Sequence, residues 1–334
     1  MMVEHKVSNG FNLRHRKIIS AAVAAGLVGF LMAHSAVKGA VSLSDNASAS
    51  AYPSGAWPVL SNGSTNGVAG LGPWYQGPAG SGVGQAATWG FFTGPSQYIY
   101  GTTANATIDT AGVSWGIYAN NGSGSDPAAP YAYRGFTPMT ASSGNTSSFS
   151  LGMVTGPMSN PGQEGFQLQS YNAASGYATP IFQIAATGSG NYYTFSYGGY
   201  TAANPGFTNS VSTGIKSVND GSGSQNDGSG IVVTFTLKSS TSFDVSVAPV
   251  NSAQGATFDS GLLTGLNNLP ISQLMVYNNN AGLASQYDYF NSLRITEPNA
   301  TPEPAALLLM TVAAGGALLV GRRDWRLRRR VDRA

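Results

Sequence analysis

The sequence predicts an all-β protein, an antiparallel β-sandwich of jelly-roll type, and three observations predict it. Apolar and polar residues alternate with period two in several short runs. Clusters of Gly, Asn, Ser and Pro break these runs roughly every 8 to 15 residues. Between the two ends of the chain no amphipathic helical pattern of useful length occurs. The composition agrees: 44 of 334 residues are glycine, about double the usual ~7 per cent. Charged residues are only 9 per cent, against the usual ~25 per cent, so the polar surface must come from Ser, Thr, Asn, Gln and Tyr.

The first element is a leader, residues 1–40. Arg14, Arg16 and Lys17 precede an apolar run at 18–33, and small residues follow at 35–40. A basic region, a short apolar stretch and a small-x-small site predict a secretory signal peptide, cleaved after about residue 35 to 40. The apolar run is too short to span a membrane comfortably, which needs ~20 residues.

The body, residues 41–296, is the predicted sandwich. Ile231, Val233, Phe235 and Leu237 alternate with Val232, Thr234, Thr236 and Lys238. Phe243, Val245 and Val247 alternate with Asp244 and Ser246. Phe149, Leu151 and Met153 form a third run, and Phe166 and Leu168 sit between Gln167 and Gln169. Turn clusters stand at 120–126 and 220–230. About 260 residues suffice for one large domain, and no fixed-period repeat suggests a solenoid.

Between residues 41 and 300 four basic side chains (Arg134, Lys216, Lys238, Arg294) face ten acidic ones, a net charge of −6. No basic patch exists to neutralise phosphates, which argues against nucleic acid as a partner. The chain has no cysteine, and its three histidines (His5, His15, His34) all lie in the leader. Disulfides, thiolate chemistry, Ser-His triads and His-bearing zinc sites are thereby excluded from the body. Paired carboxylates for glycoside hydrolysis are not evident either. Glu164 stands alone, Glu297 falls in the linker, and Asp109, Asp126, Asp244, Asp259 and Asp288 are scattered. The Asp- and Asn-bearing stretch 220–230 lacks EF-hand spacing and reads as a hairpin loop, not a calcium site. No cofactor, metal ligand or catalytic residue is expected.

Aromatics could stack on sugars: Trp57, Trp74, Trp89 and Trp115 crowd the first half, and Tyr193, Phe195 and Tyr197 share one strand face. Filling the core is the expected role for most of them.

The C-terminal elements are a linker at 297–304 containing Pro302, Glu303 and Pro304, an apolar run at 305–321, and a tail at 322–334. Seventeen residues make about 25 Å of helix, which just reaches across a ~30 Å hydrocarbon core. Arg322, Arg323, Arg326, Arg328, Arg329 and Arg330 follow at once and hold that side in the cytoplasm by the positive-inside bias. The predicted fold is thus a sandwich flanked by a signal peptide and a single C-terminal transmembrane helix.

Pro-Glu-Pro, a short apolar helix and a terminal arginine cluster resemble the PEP-CTERM sorting signal, over about a tenth of the chain. The resemblance implies recognition by a membrane processing enzyme, an exosortase. It further implies cleavage near Pro302–Pro304, an inner-membrane intermediate, and delivery to the cell surface or extracellular matrix of a bacterium that makes exopolysaccharide. The segment at 287–296 (YDYFNSLRIT) resembles the closing strand of concanavalin-like sandwiches in other proteins with such a tail, which favours a single domain. The leading expectation is a non-catalytic structural or adhesive surface protein. The alternative is a carbohydrate-binding, lectin-like module for exopolysaccharide, and a polysaccharide-acting enzyme comes third.

Overall fold

The alternation that predicts strands is seated in one place. Ile231, Val233, Phe235 and Leu237 are all buried, while Val232, Thr234 and Thr236 point outward. They pair on one side with Val247, Val245 and Phe243, and on the other with Met153, Leu151 and Phe149. Three runs read independently from the sequence therefore lie side by side, with their apolar residues on a common face.

The computed structural model describes residues 42–49, 52, 57, 70–79, 88–96, 108–120, 129–141, 145–156, 158, 162–200, 206–217, 230–250, 252–279 and 287–297. All of them fall in the compact unit Val41–Pro298. The leader, the Pro-Glu-Pro segment, the apolar run at 305–321 and the arginine cluster lie outside the described residues, as do residues 121–128 and 218–229. Among the described residues no helix is long and apolar enough to cross a membrane.

The strands in chain order are β1 (Ser42–Asp45), β2 (Leu71–Ala79), β3 (Thr88–Gly94), β4 (Ser114–Asn120) and β5 (Ala129–Met139). Next come β6 (Ser147–Val154), β7 (Gln163–Asn172), β8 (Tyr177–Thr187), β9 (Tyr192–Tyr197) and β10 (Asn209–Lys216). The last six are β11 (Ile231–Leu237), β12 (Ser242–Pro249), β13 (Phe258–Asp259), β14 (Leu263–Thr264), β15 (Ile271–Asn279) and β16 (Tyr287–Thr296). They form two antiparallel sheets. The seven-stranded sheet has the order β10-β9-β8-β7-β15-β5-β2. The nine-stranded sheet has the order β13-β12-β11-β6-β16-β4-β3, with β1 added to β16 and β14 to β12. The protein is an all-β antiparallel sandwich, as the sequence predicts.

The inner faces meet in one continuous core. Phe149 of β6 meets Phe166 of β7 at 5.6 Å between ring centres, Phe182 of β8 meets Phe235 of β11 at 5.2 Å, and Tyr197 of β9 meets Phe243 of β12 at 4.9 Å. Burying each such ring contributes ~1.5–3 kcal/mol. Near β2 and β4 the core is built from indoles: Trp57 and Trp74 are 5.0 Å apart edge to face, and Trp74 and Trp115 are 5.4 Å apart.

Strand β16 carries a bulge that sets which of its residues face inward. The pairing with β6 shifts between Asn291 and Arg294, and Ser292 takes a positive φ of 57°. The extra residue lets Asp288 and Phe290 point inward before the bulge and Leu293 and Ile295 after it. The Asn291 side chain secures the bend. Its Nδ2 donates to the carbonyls of Ile108 and Val113 at 3.1 and 2.8 Å, and its Oδ1 accepts from the Ala47 and Ser292 amides.

Candidate functional site

The outer face of the seven-stranded sheet is built by one cross-strand register that runs through all seven strands. Tyr75 on β2 lies opposite Tyr133 on β5, Tyr133 opposite Met275 on β15, and Met275 opposite Gln167 on β7. Gln167 pairs with Gln183 on β8, Gln183 with Ser196 on β9, and Ser196 with Ser210 on β10. Six interstrand steps of ~4.8 Å make this row about 29 Å long. A second row runs beside it: Gly77, Tyr131, Tyr277, Gly165, Ala185, Thr194 and Ser212.

Local sequence puts these side chains outside. In β5 the inward positions are Pro130, Ala132, Arg134 and Phe136, so Tyr131 and Tyr133 alternate to the outer face, half-buried. In β2, Trp74 is fully buried and its neighbour Tyr75 is 39% exposed. The rings of Tyr75 and Tyr133 stack at 5.2 Å with an interplanar angle of 15°, and Tyr131 and Tyr133 stack at 6.1 Å and 25°. Gly77 makes room for this arrangement, because a Cβ there would stand 2.9 Å from the Tyr131 hydroxyl. Burial and the neighbouring phenols of Tyr131, Tyr75 and Tyr171 push the Tyr133 hydroxyl above its ordinary pKa, so it stays a hydrogen-bond donor at any physiological pH.

Amides occupy the middle of the face. Gln169 Nε2 donates to Gln167 Oε1 at 2.8 Å, and Gln167 Nε2 donates to Gln183 Oε1 at 2.7 Å. This chain presents the donating amide of Gln183 at one end and the accepting oxygen of Gln169 at the other. Between the tyrosines and the amides the surface dips into a cavity of about 280 Å³ lined by Ala129, Tyr131, Gln163, Gln167, Met275, Tyr277 and Asn279. The Tyr277 hydroxyl is buried there and makes no hydrogen bond within the protein. Burial first, and the Asp288 carboxyl second, hold it protonated.

Neither row carries a charge. Of the charged residues on these seven strands, Arg134 and Glu164 are turned into the interior. Lys216 ends the edge strand β10 opposite Tyr192, outside both rows. The arrangement offers a stacked phenol cluster, neutral amides and hydroxyls. Among the described residues no group of three or more His, Cys, Asp and Glu could hold a metal ion.

The sequence-predicted residues are distributed differently. Trp57, Trp74, Trp115, Tyr193, Phe195 and Tyr197 are buried core, and only Trp89 is exposed, on the edge strand β3. The carboxyls that look scattered in the sequence are not all so. Glu164 and Asp288, each fully buried, are brought together between the sheets, where Glu164 raises the cost of ionising Asp288. Glu164 accepts from the Gly156 amide at 2.7 Å and from Asn278 Nδ2 at 3.0 Å, yet burial pushes its pKa up to about 8. Burial, with Glu164 beside it, raises Asp288 well above the carboxylate range. The backbone amides of Tyr289 and Gly165 favour its charged form, but neither of its oxygens makes a hydrogen bond of ordinary geometry. Asp109 ties a loop by accepting from Ser96 N and Ser114 Oγ, and Asp244 pairs with Lys238. Glu297 accepts from Ser147 Oγ at 2.8 Å. Pro302, Glu303, Pro304, the six arginines and Asp126 lie outside the described residues. The residues the sequence reading missed are Tyr75, Tyr131, Tyr133, Gln183 and Tyr277.

No family model matches the chain, and no curated protein does. Solved structures that resemble it include an alginate lyase from Klebsiella pneumoniae, 8% identical over 59% of this chain and 85% of that one, with a TM-score of 0.36. Lectin II from Ulex europaeus is 9% identical over 68% of this chain and 98% of that one, at 0.35. A CBM2 module of the evolved Dit protein of Lactobacillus casei BL23 phage J-1 is 11% identical over 68% and 98%, also at 0.35. These overlaps are weak, and the functional reading rests on the geometry of this chain alone.

Proposed function

We propose that this is an exported, non-catalytic surface or matrix protein whose jelly-roll-like body binds exopolysaccharide across the outer face of the seven-stranded sheet. One observation carries the reading: the uninterrupted row Tyr75, Tyr133, Met275, Gln167, Gln183. The stacked phenol cluster offers an apolar surface against which the C–H groups of a sugar pack, and amides can both donate to and accept from its hydroxyls. The geometry thereby favours the lectin-like alternative over a purely structural role. Absence of His and Cys from residues 41–300 supports the non-catalytic part, as does the burial of Glu164 and Asp288.

The route belongs to the same proposal. Order and spacing of leader, Pro302-Glu303-Pro304, apolar run and arginines support export, transient retention in the inner membrane and release by an exosortase-type enzyme.

The test is a glycan array probed with the full-length protein and with Tyr75→Ala and Tyr133→Ala variants. Binding that both variants weaken at least about tenfold, the loss of a ring contact worth ~1.4 kcal/mol or more, supports the reading. Ser150→Ala, on the outside of the other sheet, leaves it unchanged. Failure to bind any glycan, or binding indifferent to both tyrosines, removes the proposal.

A further inference from the structure

Resting on that reading, we infer that the ligand is an uncharged polysaccharide laid along the two rows, across the strands, and not a uronate-bearing or sulfated polymer. Charge is the deciding property. The rows hold no cation to meet a sugar carboxylate, since Arg134 is sealed inside and Lys216 stands off the rows at the edge. Pressing an anionic sugar against phenols and neutral amides strips its water without supplying a partner for the charge. The surrounding body adds long-range repulsion: its formal net charge over residues 41–300 is −6, or −4 with Glu164 and Asp288 protonated.

What the face does supply suits a neutral chain. The near-parallel rings of Tyr75, Tyr133 and Tyr131 cover one end, the Gln167–Gln183 amides follow, and the hydroxyls of Ser196 and Ser210 close the row. About 29 Å of row accommodates several sugar units in line. Tyr277 provides an unsatisfied buried hydroxyl in the adjoining cavity, and a neutral hydroxyl can meet it without bringing charge near Asp288.

The experiment is affinity electrophoresis of the full-length protein in gels cast with a neutral polymer (β-glucan or galactomannan) or an anionic one (alginate or pectate), from about 0.05 to about 0.5 M salt. The expected result is retardation by a neutral polymer at least about tenfold stronger than by either anionic one. That retardation should change less than about twofold across the salt range, because surface charge pairs alone are screened. Tyr75→Ala should weaken it at least about tenfold, with unfolding of the variant followed by circular dichroism, and Tyr133→Phe should preserve it. Retardation by alginate or pectate that equals or exceeds the neutral polymer, and fades with salt, overturns this inference while leaving glycan binding intact. Retardation by none of the four polymers counts against the glycan-binding reading itself.

Discussion

Two polar clusters are buried between the sheets, and they solve the same problem in opposite ways. Around Arg134 the charges are complementary. Arg134 Nη1 and the Tyr52 hydroxyl both donate to Asp45 Oδ2, Arg134 Nε donates to the Gly72 carbonyl, and Trp74 Nε1 donates to the Tyr52 hydroxyl at 3.1 Å. The guanidinium also lies 5.5 Å from the centre of the Trp74 ring. Around Glu164 and Asp288 both groups are acids, and among the described residues no basic side chain acts on either carboxyl. Neighbouring titratable groups there are the phenols of Tyr193 and Tyr277, both raised by burial and by Asp288. The first cluster sets opposite charges against each other and pins β1 to β5. The second is tolerated only by keeping its protons. Burial alone does not decide what a carboxyl contributes; its partner does.

Three acid-to-amide substitutions of nearly constant shape test that contrast, and Asp45→Asn has the largest effect. It leaves the buried guanidinium of Arg134 without a counter-charge, and breaking a buried pair in this way costs ~3–5 kcal/mol. Denaturant unfolding at neutral pH should show a loss of that order with an unchanged m-value. A loss below about 1 kcal/mol would mean that the tyrosine, indole and backbone contacts hold the arginine without its carboxylate.

Legibility in the sequence follows a similar division. β6, β11 and β12 are plain from alternation because their inward residues are apolar and their outward ones small or polar. β5 inverts that rule. Its outward residues are Tyr131 and Tyr133, while Ala132 and Arg134 point in, so the aromatic content of the strand suggests core where the structure has surface. Gln167 and Gln169 are correctly placed outside by the Phe166 and Leu168 alternation. The row Gln167 belongs to requires the order β2-β5-β15-β7-β8, which joins segments far apart in the chain and is carried by no local pattern. The meeting of Glu164 with Asp288 is hidden for the same reason. It depends on the bulge in β16 and on the stacking of two sheets.

The second substitution, Glu164→Gln, should act through pH. Below pH 4.5 the folded and unfolded chains both hold the proton. Between 4.5 and about 8 the unfolded chain releases it and the folded chain does not, so stability falls as pH rises through that window. Asp288, also raised, adds to the fall. The melting temperature of the unsubstituted protein should therefore drop by several degrees from pH 5 to pH 8, given ~2–4 °C per kcal/mol for a domain of this size. Glu164→Gln should flatten the slope and gain most at pH 8. Equal slopes in the two proteins would show that the pair does not retain its protons.

The smallest effect is expected at Asp244, which calibrates the other two because the chemical change is the same. Asp244 Oδ2 lies 2.7 Å from Lys238 Nζ across the β11–β12 hairpin, but the two side chains remain 28% and 37% exposed. Water and salt screen such a pair, and holding two long side chains together costs conformational entropy, so exposed pairs contribute ~0.2–1 kcal/mol. Asp244→Asn should cost no more than that at low salt, and less still at about 0.5 M salt. It should also leave unchanged the pH slope attributed to Glu164, whose environment it does not touch. If Asp244→Asn instead destabilised as strongly as Asp45→Asn, pairing and not burial would set the cost. The distinction drawn between the exposed hairpin and the sealed Arg134 cluster would then fail.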